Sequence, residues 1–254
     1  TDQDWSNSTT TISGSWSGFF DATSGIAVYE YAIGSNPGSV DIWSWDSLGT
    51  DTLFTQGDLT LESGETYYIS VRAIDHSGNT SSVAGSDGLT VDALDPAILS
   101  LYEGSTVEDM DYQQDGTELI IVWSGSDATR TREITGYQVC LGTSPGDSNT
   151  VDWIGLGSAN EYTFSGLSLT EGTTYYASAR AQDLAGNISE IFTGDGITID
   201  QSGPLPGQLN DGTEEDIDWV TINYLADGNW TGFLDSLSGI AEYEYSLGLN
   251  PGQT

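Results

Sequence analysis

The feature that most constrains the fold of this chain is an internal repeat. Residues 15–21 (SWSGFFD) recur 214 positions later as residues 229–235 (NWTGFLD). A middle copy lies at about half that spacing, because residues 67–73 (YYISVRA) match residues 175–181 (YYASARA) 108 positions further on. A period of this length indicates tandem structural modules, each of which contacts mainly its neighbours.

The matches divide the chain into three units. We predict module 1 over residues 1–92, module 2 over residues 93–200 and the N-terminal half of module 3, strands A to C, over residues 201–254. Because the third copy stops at Thr254, we expect either that the parent chain continues or that another molecule supplies the absent strands. We expect the chain to be a mature product or a window from something longer.

Short strands alternate with turns throughout, and no helical period persists. In module 1 the strands are predicted over residues 10–16, 26–33, 40–45, 67–74 and 87–91. Within the fourth of these, apolar and more polar side chains alternate, as in an antiparallel strand that buries one face. The sequence therefore predicts an all-β chain.

Particular residues within this pattern resemble fibronectin type III domains, with their strand-B tryptophan, patterned strand C and tyrosine corner. In module 2 they are Trp123, Ile134, Tyr137, Val139, Leu169 and Tyr175. In module 1 they are Trp16, Ile26, Tyr29, Tyr31, Leu61 and Tyr67. The proline that usually follows the Leu is replaced by Ser63 and Glu171. The resemblance implies tandem immunoglobulin-like β-sandwiches, similar to repeats of large prokaryotic cell-surface or secreted proteins.

The charge of the chain limits the environments and the binding partners that we expect for it. It has 39 acidic residues against four arginines, for a formal net charge of −35. Nothing in it could replace the counterions of a nucleic acid or dock on an anionic membrane, and no apolar run approaches the ~20 residues of a membrane span. Salt or bound divalent cations would relieve the repulsion. We therefore expect an extracellular or cell-surface location.

Aspartates near the predicted ends of modules suggest where such cations bind. In an immunoglobulin-like sandwich the last strand runs to the pole that faces the B–C and F–G loops of the next module. We predict calcium as the cofactor at both junctions, with Asp92, Asp95, Asp127 and Asp183 at the first and Asp200 and Asp235 at the second. The alternative is that these aspartates cap turns. The acidic run at residues 214–218 is a further candidate, or a solvated loop.

Two other sets of residues are candidates for carbohydrate contacts or modification. Exposed tryptophans after strand C could stack on sugar rings, although packing in a core is the alternative; they are Trp43, Trp45 and Trp153. Four Asn-x-Ser/Thr sequons could carry glycans, at Asn7, Asn79, Asn187 and Asn229. Two of these occupy equivalent F–G turns, which we predict to be exposed, while chance matches are the alternative.

An enzyme is not predicted. His76 is the sole histidine and Cys140 the sole cysteine, too few for a catalytic triad or a zinc site. Cys140 is expected to be a tolerated small residue on the outward face of its strand.

These observations predict a structural extracellular repeat protein: a stalk, adhesin or filament segment stiffened by calcium at its module junctions. Its expected partners are neighbouring repeats or identical chains. The alternative is a carbohydrate-binding or accessory module array of a secreted enzyme, with surface glycans as partners.

Overall fold

The computed structural model describes residues 2–104, 108–128, 133–213, 219 and 226–248. Over these ranges every regular element is a β-strand, which confirms the all-β prediction. No helix in the described part of the chain is long and apolar enough to cross a membrane.

Module 1 is a sandwich of a larger, mainly antiparallel sheet and a smaller antiparallel sheet. Its strands are β1 (Trp5–Ser6), β2 (Ile12–Ser15), β3 (Ile26–Gly34), β4 (Trp43–Gly49), β5 (Leu53–Gln56), β6 (Thr66–Asp75), β7 (Ala84–Gly85) and β8 (Leu89–Val91). The larger sheet has the order β1-β8-β6-β3-β4, with β7 also on β6, and the smaller sheet pairs β2 with β5. Only β1 runs parallel to its neighbour.

Module 2 repeats this plan with one more strand in its smaller sheet. Its strands are β9 (Ala97–Glu103), β10 (Tyr112–Gln113), β11 (Glu118–Ser126), β12 (Ile134–Gly142), β13 (Val151–Gly155), β14 (Glu161–Ser165), β15 (Thr174–Asp183), β16 (Phe192–Thr193) and β17 (Ile197–Ile199). The larger sheet is ordered β10-β17-β15-β12-β13, and the smaller β14-β11-β9. This is the strand arrangement of a fibronectin type III-like sandwich.

Module 3 is described in part. Its strands β18 (Gln208–Asp211) and β19 (Gly228–Thr231) form an antiparallel pair. Leu205 and Leu234 form an isolated bridge beside them. The acidic run at residues 214–218 lies outside the described residues.

Each complete module has its own apolar core of aliphatic and aromatic residues. In module 1 the Tyr31 ring stacks on Phe54 with centroids 4.1 Å apart. In module 2 Trp123 packs edge-on against Tyr137 at 5.8 Å. Because paired aromatic rings bury large areas in fixed geometries, these contacts hold the two sheets of each sandwich together.

Tyrosine corners close both modules, as the family resemblance implies. The hydroxyl of Tyr67 accepts a hydrogen bond from the backbone N–H of Glu62 at 2.8 Å, and that of Tyr175 accepts one from Thr170 at 3.0 Å. Each bond fixes the turn that leads into the long strand β6 or β15. The prediction of tandem sandwiches is confirmed, while the module boundaries at residues 92 and 200 stay predictions.

Candidate cation site at the junction of modules 1 and 2

Asp92, at the predicted end of module 1, contacts module 2. It directly follows β8, and its backbone N–H donates to the carbonyl of Ser6 at 2.8 Å, which holds it at the end of the sheet. Its side chain is only 2% exposed. Oδ1 accepts a hydrogen bond from Leu94 at 3.1 Å, whereas Oδ2 is buried without a hydrogen-bond partner. A buried carboxylate oxygen in this state is costly unless a cation or a donor meets it.

Asn187 joins this end of module 1 to the F–G turn of module 2. Its Nδ2 donates to the Asp92 carbonyl and to Oδ2 of Asp183, both at 2.8 Å. Its backbone N–H donates to Asp183 Oδ1, also at 2.8 Å. Because both amide hydrogens are used and Asn187 is buried, this side chain fixes the turn and the joint together.

Three carboxylates converge at this joint. Asp92, Asp127 and Asp183 each offer one oxygen, and these oxygens lie within 4.8 Å of one another. Their side chains are 2%, 4% and 3% exposed. Two unit charges 4.8 Å apart repel by about 3.5 kcal/mol at an effective dielectric constant of about 20. A cation with Ca–O distances of about 2.3–2.6 Å would fit among oxygens at this spacing.

Asp95, the fourth residue predicted for this junction, lies elsewhere. Its side chain is exposed, and it does not belong to the carboxylate group. The physical reason is the turn that Asp92 makes: Oδ1 of Asp92 caps the N–H of Leu94 and turns the chain, so that Pro96 is buried instead. The structure therefore brings three of the four predicted residues together and leaves Asp95 outside the group.

The second junction repeats part of this arrangement. Asp200 follows β17 as Asp92 follows β8, is 9% exposed and has a buried Oδ1 without a hydrogen-bond partner. The N–H of Ser238 lies 3.1 Å from Oδ2 of Asp200 and 3.0 Å from Oδ1 of Asp235. The structure therefore brings Asp200 and Asp235 together, as predicted, with two carboxylates where the first junction has three.

Turn capping explains part of the role of Asp235. Its Oδ1 also accepts backbone hydrogen bonds from Leu237 and Gly239. Asp21, the equivalent residue of module 1, accepts the same three bonds from residues 23–25, and these bonds lower its pKa. The turn-capping alternative thus holds for the B–C loops of modules 1 and 3.

A further carboxylate group in module 2 was not predicted. Oxygens of Glu103, Asp109 and Asp195 lie within 4.8 Å of one another. Glu103, at the end of β9, is fully buried and accepts backbone hydrogen bonds from Ala177 in β15, at 2.6 Å, and from Gly196 just before β17, at 2.8 Å. Burial raises the pKa of Glu103 to about 7 even though these donors lower it.

Module 1 contains a related group without a buried member. It consists of Asp2, Asp4 and Asp87, all exposed. Asp87 and Asp195 match at the 108-residue period, a signal that the sequence does carry. Nothing in the sequence of β9, however, distinguishes Glu103 from a solvated glutamate.

The three candidate tryptophans do not form one platform. Trp43 packs against the core of module 1. Trp45 lies under the guanidinium of Arg72, 4.2 Å from the ring centroid, and Trp153 lies under Arg180 at 4.5 Å in module 2. A bulge in the β3–β4 pairing separates the environments of Trp43 and Trp45. An arginine covers one face of two of these rings and Trp43 packs against the core, so stacking of the three tryptophans on sugars stays a prediction.

The sequons differ in their surroundings. Asn7 and Asn79 are exposed and Asn229 is half-buried, with Nδ2 donating to the Gly212 carbonyl at 2.8 Å. Asn187 is buried in the joint with both Nδ2 hydrogens bonded. The expectation that both F–G turns are exposed is therefore wrong for Asn187. Glycosylation at the other three sequons stays a prediction.

Cys140 is fully buried, whereas an outward-facing slot was expected. Its Sγ lies 3.6 Å from the carbonyl of Asp147, in the loop that folds over this part of the sheet. Burial raises the pKa of the thiol to about 11. The residue must be small because the loop covers it.

Comparisons with known proteins are limited to folds. The sequence matches no family model and no curated protein. Among solved structures, the chain is similar to chicken CNTN1 FN1-FN3 domains (13% identity, TM-score 0.46, 78% of this chain and 64% of that one). It is also similar to Clostridium thermocellum CbhA fibronectin(III)-like modules (15% identity, TM-score 0.44, 78% of this chain and 90% of that one). A third similar structure is titin domains A168-A170 (14% identity, TM-score 0.43, 78% of this chain and 61% of that one). The chain thus covers less than two thirds of the CNTN1 and titin fragments.

Proposed function

We propose that this chain, two complete fibronectin type III-like sandwiches and part of a third, is a structural repeat segment of an extracellular stalk, adhesin or filament. In this proposal Ca²⁺ binds at the junctions and stiffens them. The partners are neighbouring repeats, because a tandem array gains length by adding units that contact mainly each other.

The observation that carries the proposal is the Asp92 carboxylate. Asp92 is the last residue of module 1, lies against module 2 and is buried. Its Oδ2 has no hydrogen-bond partner. Two more buried carboxylates, from Asp127 and Asp183, lie within 4.8 Å of it. Three such charges in one small volume favour a divalent cation, since a bound cation converts their mutual repulsion into attraction.

Calcium fits this donor set better than magnesium or zinc. The candidate ligands are carboxylate oxygens, and the chain has one histidine and one buried cysteine to offer a softer metal. Ca²⁺ accepts six to eight oxygens in flexible geometry and completes its shell with water, whereas Mg²⁺ demands near-ideal octahedral geometry.

A cation at this place would stiffen the array because its ligands come from both sides of the joint. Asp92 belongs to module 1, and Asp127 and Asp183 to module 2. The Asn187 bond to the Asp92 carbonyl already sets the distance between the modules. Rotation about the joint would then have to break this bond and metal–oxygen bonds together.

The test is thermal unfolding with calcium or with EGTA, each at low and at high NaCl. We expect a stabilisation by calcium that NaCl does not reproduce, because a specific site needs a cation that binds three carboxylates at once. High salt shortens the Debye length to about 3 Å at 1 M and relieves only the general repulsion. If NaCl alone restored full stability after chelation, generic screening would explain the acidity and the calcium site would be refuted.

A further inference from the structure

Arg72 and Arg180 occupy equivalent places on the larger sheets, on the faces that point away from the cores. In module 1, Nε and Nη2 of Arg72 both lie 2.6 Å from Oε2 of Glu30, which makes an ion pair within the sheet. In module 2, Nε of Arg180 donates instead to Oε1 of Gln138 at 2.7 Å. Module 2 thus has a neutral amide where module 1 has the carboxylate.

This difference leaves the terminal nitrogens of Arg180 available to a ligand. In the described part of the chain, no hydrogen bond or ion pair reaches its Nη1 or Nη2. Stacking over Trp153 and the bond to Gln138 hold the guanidinium in one place. A planar guanidinium that is held in this way and has free N–H groups is suited to a carboxylate, which it binds through two parallel hydrogen bonds.

A pocket of about 170 Å³ opens beside this arginine. We call it the Arg180 pocket; its walls include Gly136, Gln138, Gly155, Arg180, Gln182 and Ile188. Sites for drug-sized ligands have volumes of about 300–1,000 Å³. The Arg180 pocket is therefore of a size for one small ring or a single side chain.

Sequence differences between the modules explain the pocket. Gly136 lies opposite Gln182 in the sheet, where module 1 pairs Val28 with Ile74. The backbone does not require these glycines: a Cβ on Gly136 would have its nearest neighbour at 3.8 Å, and one on Gly155 would meet nothing within 4 Å. The pocket is therefore space that side chains could fill without a clash.

The remaining walls and the charge of the chain limit the class of ligand. The side-chain amides of Gln138 and Gln182 carry donors and acceptors, which match hydroxyl groups. Ile188 is exposed and is held opposite Gln182 by an isolated bridge, so it offers an apolar surface to the C–H groups of a ring. Because the chain has a net charge of −35, each further negative charge on a ligand is repelled, which favours a ligand with one carboxylate.

We propose that the Arg180 pocket binds a terminal uronic acid unit of a glycan. The carboxylate of the sugar binds the Nη atoms of Arg180, and its ring hydroxyls bind the amides of Gln138 and Gln182. This inference does not depend on the calcium sites, which lie at the module junctions.

The test is an NMR titration of the ¹⁵N-labelled 254-residue chain, in EGTA and at one fixed NaCl concentration. The probes are methyl glucuronide, methyl glucoside and acetate, so that the ring and the carboxylate are tested separately. We expect methyl glucuronide to shift the Arg180 Nε–H signal and the Gly136 and Gly155 amide signals in a saturable way. Methyl glucoside and acetate should each bind at least about tenfold more weakly, because each lacks one set of hydrogen bonds.

Each comparison of probes can overturn one part of the proposal. Equal affinity for methyl glucoside and methyl glucuronide would overturn the role of the carboxylate and of Arg180. Equal affinity for acetate would overturn the assignment of a sugar. Absence of binding by methyl glucuronide would overturn the site.

The substitution Gln138→Glu tests the free guanidinium. It gives Arg180 an internal carboxylate, the arrangement that Glu30 and Arg72 already have in module 1, so the fold accommodates it. We expect it to weaken binding of methyl glucuronide at least about tenfold. Gln3→Glu, at an exposed position of module 1, is the matched control because it adds the same charge, and it should leave the affinity unchanged. Equal affinities of the two variants would overturn the proposal.

The substitution Gly136→Val tests the pocket itself. It introduces the residue that module 1 has at this position and keeps Arg180, Gln138 and Gln182 in place. We expect binding of methyl glucuronide to weaken at least about tenfold, because the valine side chain occupies the space of the ring. Binding that Gly136→Val leaves unchanged would overturn the placement of the sugar in the Arg180 pocket.

Discussion

Replacing Asp92 by Asn tests the proposed junction most selectively. The substitution keeps the shape of the side chain and removes one of three charges whose oxygens lie within 4.8 Å of one another. It thereby removes two of the three repulsive pairs, each worth about 3.5 kcal/mol at an effective dielectric constant of about 20. In EGTA, Asp92→Asn is therefore expected to unfold at a higher temperature than the unsubstituted chain.

Added calcium should stabilise the unsubstituted chain more than the Asp92→Asn variant. With a dissociation constant of about 10⁻⁴ M, as in extracellular calcium modules, about 10 mM Ca²⁺ stabilises the site by about 2.7 kcal/mol. If loss of the Asp92 charge weakens binding tenfold, this gain falls by about 1.3 kcal/mol. The calcium-induced increase in stability is thus expected to be about half as large in the variant.

The assay is calorimetric unfolding with EGTA or calcium, both at about 1 M NaCl so that general screening is constant. Asp95→Asn is the matched control, since Asp95 lies in the same linker but is exposed and outside the carboxylate group. Equal calcium increments in Asp92→Asn and the unsubstituted chain would refute the reasoning. So would an equal loss in Asp95→Asn.

Three further predictions concern single residues. Asn187→Ala should cost about 1–3 kcal/mol because it leaves buried partners unsatisfied, whereas Asn79→Ala, in the exposed equivalent turn, should cost less; denaturant unfolding of both variants measures the difference. Since the pKa of Glu103 rises from 4.5 to about 7, the folded state holds a proton that the unfolded state releases, and stability should fall by up to about 3 kcal/mol as the pH rises through that range. Glu103→Gln should reduce the change of stability with pH over this range. If the slope of stability against pH, measured in high salt, is the same with and without the substitution, the prediction is contradicted. Cys140, buried with a pKa raised to about 11, should react with a thiol reagent only as fast as the protein unfolds, and rapid labelling under native conditions would show that the loop over it opens.

Much of the fold follows from local pattern. The strand alternation and the spacing of Leu169 and Tyr175 predict the sandwich and its tyrosine corner, because both depend on residues close in sequence. The meeting of Asp92 with Asp183 was predictable from the poles of such a sandwich. The position of Asp95 shows the limit: one capped turn decides which aspartate points into the joint.

Other features depend on contacts that sequence pattern does not reveal. Asn187 looks like a sequon in an exposed turn, yet its environment is set by the neighbouring module. Glu103 becomes a buried bridge between sheets only because Gly194 leaves space for its carboxylate. Such roles come from packing across large sequence separations, where periodicity carries no signal.

The central claim, that calcium stiffens the first joint, is tested most directly by the distance distribution between the two modules. Spin labels on cysteines introduced at the equivalent exposed positions Ser44 and Asp152, with the buried Cys140 left in place, report this distance by pulsed electron resonance. The account predicts a broad distribution in EGTA at high salt and a narrow one when calcium is added, with no narrowing in Asp92→Asn. A distribution of the same width with and without calcium would contradict it.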